Sequence, residues 1–220
     1  MINISIDQSL KKASPSLMLG VVHASVKVEK GSDALWQEIN KTISVVSKQY
    51  SLDSIPNISE ITAVKNTYKR LGKDPSRYRG SAEALLRRIL QGKGLYRVNN
   101  VVDINNLVSI ETLCPVGSYN LENIEQPIIF KVGQEGESYK GIGKEIINIA
   151  GLPVFADKSG PYGSPTSDSE RAMITNGAKN ILMIVISFIG NKKMDKILKK
   201  VALRLEKFAE AKIIDKIIVE

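Results

Sequence analysis

Cysteine, histidine and tryptophan occur once each in this 220-residue sequence. The lone cysteine, Cys114, cannot form an internal disulfide, which fits a reducing compartment. It precedes Pro115, has no basic neighbour to activate a thiolate, and reads as a small buried hydrophobe. With one His and one Cys the usual zinc sets cannot be assembled. A Ser-His-Asp triad has only His23 to draw on. That residue lies on the polar side of a strand pattern, where solvent exposure or a simple hydrogen bond explains it as well as a site does. No glycine-rich loop leads into Gly-Lys-Ser/Thr, which argues against P-loop phosphoryl transfer. Gly141-Ile-Gly143-Lys144 lacks the third glycine of a dinucleotide fingerprint and reads as a turn.

Signs of disorder are missing as well: there is no charge block, no Pro/Gly tract and no low-complexity run. The longest apolar stretch, Ile181 to Ile189, falls far short of the roughly 20 residues that span a bilayer. The start, Met1 to Asp7, alternates like a strand and has neither the basic start nor the apolar core of a signal peptide. The expectation is a cytosolic protein without membrane attachment, forming one domain over residues 1–220.

What the sequence does have is cationic charge in one place. Between Lys65 and Arg97 there are ten basic residues against Asp74 and Glu83, while the rest of the chain is balanced. Charge concentrated this way repels itself, and a polyanionic partner relieves it. A solvated helical face that happens to be rich in Lys and Arg is the other reading.

Periodicity sketches the elements. Met18 to Glu29 alternates as a half-buried strand, with Val22, Ala24, Val26 and Val28 on one face and His23, Ser25 and Lys27 on the other. Ser32 or Asp33 caps a helix towards Tyr50 with Leu35, Ile39, Ile43 and Val46 inward. A second helix follows Pro56, with Asn57 and Glu60 at capping-box spacing, and stops near Gly72. Ser81 caps a third, Ala82 to Gln91, and a fourth spans about Asp103 to Thr112. Strand-like runs recur at Pro127–Val132, Leu152–Ala156 and Ile181–Phe188. A last amphipathic helix, Lys192 to Ala211, carries Met194, Ile197, Leu198, Val201, Leu205 and Phe208 on one stripe. Strands and helices are segregated rather than alternated, which predicts an α+β fold.

Two polar clusters stand out: Val102-Asp-Ile-Asn-Asn-Leu107 continuing to Cys114–Asn120, and Asp157 followed by Gly160–Arg171. As ordinary turns, Asp103, Asn105, Ser167 and Asp168 are helix caps. Beside an RNA-facing segment the same short polar side chains suit a pocket for a nucleotide end and an amino acid.

The motifs Lys73-Asp-Pro-Ser-Arg-Tyr-Arg-Gly-Ser-Ala-Glu-Ala-Leu-Leu-Arg-Arg88, Val101-Val-Asp-Ile-Asn-Asn106, Ile128-Ile-Phe-Lys131 with Gly136-Glu-Ser-Tyr139, and Gly163-Ser-Pro-Thr-Ser-Asp-Ser169 together carry a resemblance. They resemble the tRNA-binding and editing domain (B-three/B-four) of the phenylalanyl-tRNA synthetase β subunit, in its free-standing versions above all. The resemblance implies a β-sandwich-like core of mixed sheets with flanking helices. It also implies hydrolysis of the ester that joins a wrong amino acid to tRNA. Aminoacylation belongs to other domains of the synthetase. The synthetase motif Pro-Leu-His-Ala-Phe-Asp, whose His helps position substrate, reads here Pro115-Val-Gly-Ser-Tyr-Asn120, so Gly117 stands where the His would be.

The leading expectation is a trans-editing factor acting on the aminoacylated 3′ end of a tRNA, without cofactor or metal. In it Lys69, Arg70, Arg77, Arg79 and Arg88 meet phosphates and Tyr78 stacks on an unpaired base. Asn105, Asn106 and Asp168 orient the amino acid or water, with Asp168 as general base. Thr166, Ser167 and Ser169, with Gly117, Ser118 and Tyr119, line the substrate. A non-catalytic RNA-binding module and an amino-acid-binding sensor are the alternatives.

Overall fold

A computed structural model of the chain describes residues 2–220, so Met1, the first residue of the expected N-terminal alternation, lies outside the described residues. Two four-stranded sheets face each other. One runs in the order β1 (Ile4–Ile6), β4 (Ile128–Val132), β7 (Pro153–Asp157), β8 (Gly160–Gly163). Its β1–β4 pair is parallel and the other pairs are antiparallel, so the sheet is mixed. The other sheet is antiparallel in the order β10 (Lys212–Val219), β2 (Met18–Ser25), β9 (Asn180–Ser187), β3 (Val116–Asn120). A small hairpin of β5 (Ser138–Lys140) and β6 (Ile146–Asn148) stands apart from both sheets.

The layering follows from β9. Leu182, Ile184 and Ile186 point into a core shared with Phe130, Val154, Phe155 and Tyr162 of the first sheet. Ile181, Met183 and Val185 point the other way, into a core shared with helices α2 (Asp33–Gln49), α5 (Asn100–Thr112) and α6 (Met194–Ala209). A strand covered on both faces has no solvent side to mark with polar residues, so its sequence is a continuous apolar run. The molecule is an α+β sandwich with a helical layer on one side. No helix among the described residues is long and apolar enough to cross a membrane.

Local signals place most elements. Ser32 accepts from Leu35 N at 3.2 Å and so caps α2. Asn99 does the same for α5 through Val102 N at 2.9 Å, which starts that helix three residues ahead of the expected Asp103. Asp103 itself is no cap. It is buried, and it accepts from Trp36 Nε1 at 2.8 Å and Val98 N at 3.0 Å. Helix α3 (Ser59–Arg70) begins without a side-chain cap; the capping box sits upstream, where Ser51 and Ser54 open a 3-10 turn over Leu52–Asn57. Helix α4 (Ser81–Leu90) packs Leu86 against Ile55, Ile61 and Leu113. At Leu113 the chain takes φ 55°, a left-handed stop that turns it out of α5 towards β3. Six helices and strands were not expected: the short helix α1 (Gln8–Ala13), β3, β5, β6, β8 and β10.

Candidate functional site

The Ser164–Ser169 loop follows β8. Internally it closes on Ser164, whose hydroxyl donates to Ser167 O at 2.8 Å and accepts from Ser167 N at 3.0 Å. Three tyrosine hydroxyls from separate elements then fix it from outside. Tyr68 of α3 pairs with Thr166 Oγ1 at 2.7 Å, Tyr139 of β5 donates to Ser167 O at 2.6 Å, and Tyr119 of β3 donates to Asp168 Oδ1 at 3.0 Å. Lys144 adds a cation, its Nζ lying 3.2 Å from Ser167 Oγ.

Tyr119 reaches Asp168 because its neighbours lack side chains. A Cβ at Gly117 would collide with the Tyr119 hydroxyl, and one at Gly163 would stand 2.6 Å from its ring. The phenol therefore fills the space that a side chain at position 117 would take. Its ring is fully buried and meets Tyr162 edge-on, with centroids 5.1 Å apart.

Asp168 is the electrostatic centre of the loop. Burial pushes its carboxyl from the ordinary 3.8 up to about 6, and the Ser164 N–H (3.1 Å) and the Tyr119 hydroxyl pull the other way. Both of these donors use Oδ1, so Oδ2 takes no hydrogen bond among the described residues. Burial also raises the Tyr119 hydroxyl well above its usual range, so it stays protonated and acts as a donor. Close by, the Tyr162 hydroxyl is buried with no hydrogen-bond partner among the described residues. Arg171 grips Asp157 with two bonds of 2.9 and 3.0 Å and holds that carboxyl below its usual range against the opposing effect of burial.

The other expected residues are not all brought to this loop. Strand alternation on β3 sends Tyr119 into the core between the sheets and Ser118 to the opposite face. There Ser118 Oγ donates to Asn105 Oδ1 at 2.8 Å, and Asn106 lies next to Asn105 on α5. Asn105, Asn106 and Ser118 are thus grouped with one another, and no hydrogen bond among the described residues joins them to Asp168. Ser169 is buried, its hydroxyl accepting from Arg171 N at 3.1 Å. His23 stands elsewhere, across the β2–β10 pair from Asp215; burial holds its pKa below the ordinary value and Asp215 opposes that.

The basic segment packs beside the loop. Ser81 N donates to Pro165 O at 2.7 Å, and Tyr68 of α3 reaches Thr166. Its charges are not all free. Lys65, Arg79 and Arg87 converge on the buried Glu83 at 3.1, 3.6 and 2.8 Å. Arg97 pairs with Asp33 at 3.8 Å and lies over Trp36. Arg88 stacks on Tyr96 at 3.6 Å, and Arg70 donates to Ala13 O at 2.9 Å. Tyr78 is half-buried against the core with Lys73 over its ring, 5.5 Å from the centroid. Lys69 and Arg77 are exposed and make no ion pair among the described residues. Sequence reasoning gave no site role to Tyr68, Tyr139 or Ser164, although Tyr139 and Ser164 lie within the motifs quoted above. It also missed the Glu83 hub, which the i,i+4 spacing to Arg79 and Arg87 signals.

A family model described as the B3/4 domain matches residues 63–217. Among solved structures, an N-terminal fragment of the phenylalanyl-tRNA synthetase β subunit from Pyrococcus horikoshii is similar over 99% of this chain, with 13% identity and a TM-score of 0.47. This chain spans 50% of that fragment's length. No curated protein matches the sequence.

Proposed function

The chain belongs to the B3/4 domain family, and from that premise we propose that it binds tRNA and hydrolyses a mis-attached amino acid from the 3′ end in trans. The observation that carries this reading is the half-engaged carboxylate of Asp168. One oxygen is held by Tyr119 and Ser164 and the other is free, in a loop that also docks onto the basic α3–α4 segment. With a pKa of about 6, Asp168 is mostly ionised at neutral pH yet basic enough to accept a proton.

The step is ester hydrolysis. A water loses its proton to Asp168 Oδ2 as its oxygen bonds to the ester carbonyl carbon. The tetrahedral intermediate then collapses, the bond from that carbon to the ribose oxygen breaks, and the proton passes to the departing ribose oxygen. Positioning supplies much of the barrier reduction for so reactive an ester. Thr166 and Ser167 line the amino-acid side, with Lys144 beside the terminal nucleotide. The exposed Lys69, Arg70 and Arg77 meet backbone phosphates.

Deacylation of a panel of mischarged tRNAs tests the proposal. The expected result is cleavage of at least one pair by the natural chain, reduced about 10²–10⁴-fold in Asp168→Asn. Equal rates for the two proteins would remove Asp168 from the chemistry. One observation favours a second reading, tRNA binding without turnover: the Tyr119 phenol occupies the space at Gly117 where the synthetase motif carries its substrate-positioning His. On that reading tRNA binds in a salt-dependent manner and no pair is cleaved above the buffer rate.

A further inference from the structure

We propose that the lysine-bearing face of α6 is a second surface for RNA backbone phosphates, centred on the cleft between α6 and the C-terminal end of α5. Its identity as an RNA surface, rather than a surface for some other polyanion, rests on the tRNA binding proposed above. Between Lys192 and Lys200 five lysines stand against Asp195 alone, a net charge of +4 in nine residues. Lys192, Lys193, Lys196, Lys199 and Lys200 are all exposed, and none makes an ion pair among the described residues. The contrast with Glu83 of α4 is direct, because there Lys65, Arg79 and Arg87 share one buried carboxylate.

The cleft has a volume of about 420 Å³ and is walled by Lys193, Lys196 and Lys200 on one side and by Glu60, Glu111 and Thr112 on the other. Glu111 is already spent on Arg204, which it grips at 2.7 and 2.6 Å. Glu60 therefore faces three uncompensated lysines. Like charges gathered at this spacing cost self-repulsion that a phosphate backbone relieves.

Geometry ties this surface to the first one. Glu60 in the first turn of α3 lines the cleft, while Arg70 in its last turn belongs to the basic segment beside the Ser164–Ser169 loop. Ten helical residues place the two ends about 15 Å apart, within reach of one RNA. A lipid surface fits less well. The apolar stripe of α6, including Met194, Leu198, Val201 and Leu205, is buried against the second sheet, so the helix has no apolar face to insert.

The test measures binding of total tRNA against salt for the natural chain and for Lys193→Gln/Lys196→Gln/Lys200→Gln. A control with the same net charge, Lys30→Gln/Lys48→Gln/Lys179→Gln, removes three exposed lysines elsewhere, and thermal melts verify that all three proteins fold. The expected result is a loss of about 2–3 from the log–log salt slope and at least about tenfold in affinity at low salt for the cleft variant only. Slopes that match between the cleft variant and the control overturn the inference and leave tRNA binding intact. So does a loss seen only with phosphatidylserine-containing vesicles, which would assign the face to a membrane. A natural chain that binds no tRNA at all would remove the proposed function itself, and this extension with it.

Discussion

The Tyr119 hydroxyl donates to Asp168 Oδ1 across 3.0 Å, and the backbone N–H of Ser164 donates to the same oxygen at 3.1 Å. The carboxylate is thus held from one side only. In the proposed hydrolysis Tyr119 would position the group and Asp168 would supply the base.

Removing the phenol's hydrogen bond should raise the Asp168 pKa above about 6, because a donor that favoured the charged form is gone. In Tyr119→Phe the acid limb of the deacylation pH–rate profile is expected to move up by about 1 pH unit. Rates measured between pH 5 and 8 decide it. A limb that stays put would mean that the tyrosine only fills space.

The same carboxyl sets a pH dependence of stability. Folded Asp168 keeps its proton up to about pH 6, whereas in the unfolded chain it is lost near 3.8. The folded state therefore binds more protons between these values, and stability falls as pH rises through them. Asp168→Asn has no such loss. Its stability relative to the natural chain should increase by about 1–2 kcal/mol between pH 4 and pH 7.5, after allowing for the carboxyl's partial exposure. Urea unfolding at the two pH values gives the difference.

Gly163→Ala puts a methyl group 2.6 Å from the buried Tyr119 ring. That ring is walled in by Phe155 and Tyr162 and has nowhere to retreat. A destabilisation of about 1–3 kcal/mol is expected, read as a lower urea midpoint at unchanged slope. An unaltered midpoint would show that the packing around Tyr119 is looser than its geometry implies.

Glu83→Gln separates fold from binding. It leaves Lys65, Arg79 and Arg87 without their shared anion, at a cost of about 1–3 kcal/mol in stability. The freed cations should at the same time tighten tRNA binding at low salt and steepen its salt dependence. Weaker stability together with stronger binding is the signature; weaker binding would mean that the hub shapes the RNA surface.

Much of the fold was legible in the sequence, because burial leaves a period. The apolar run over β9, the alternation in β2 (which ends at Ser25 rather than Glu29) and the stripe of α6 each follow from which faces are covered. β10 was not legible. Its paired isoleucines interrupt the period of two, and the strand carries an irregularity between Ile213 and Asp215. β3 was hidden by Gly117 and Asn120, residues disfavoured in strands, and it is extended because it pairs with β9. Without β3 the site could not be assembled correctly. Asp168 and the short polar loop were readable as candidates, but the parity of Ser118 and Tyr119, which separates Asn105 from Asp168, depends on knowing that the segment is a strand.

Thr166, Ser167 and Asp168 each answer to a tyrosine from a different stretch of chain. Grafting the six loop residues, Ser164–Ser169, onto a turn in another scaffold would transfer the side chains and leave the shape behind. The same dependence runs in reverse: truncating α3 or the β5–β6 hairpin would unfasten the loop without altering one of its own atoms.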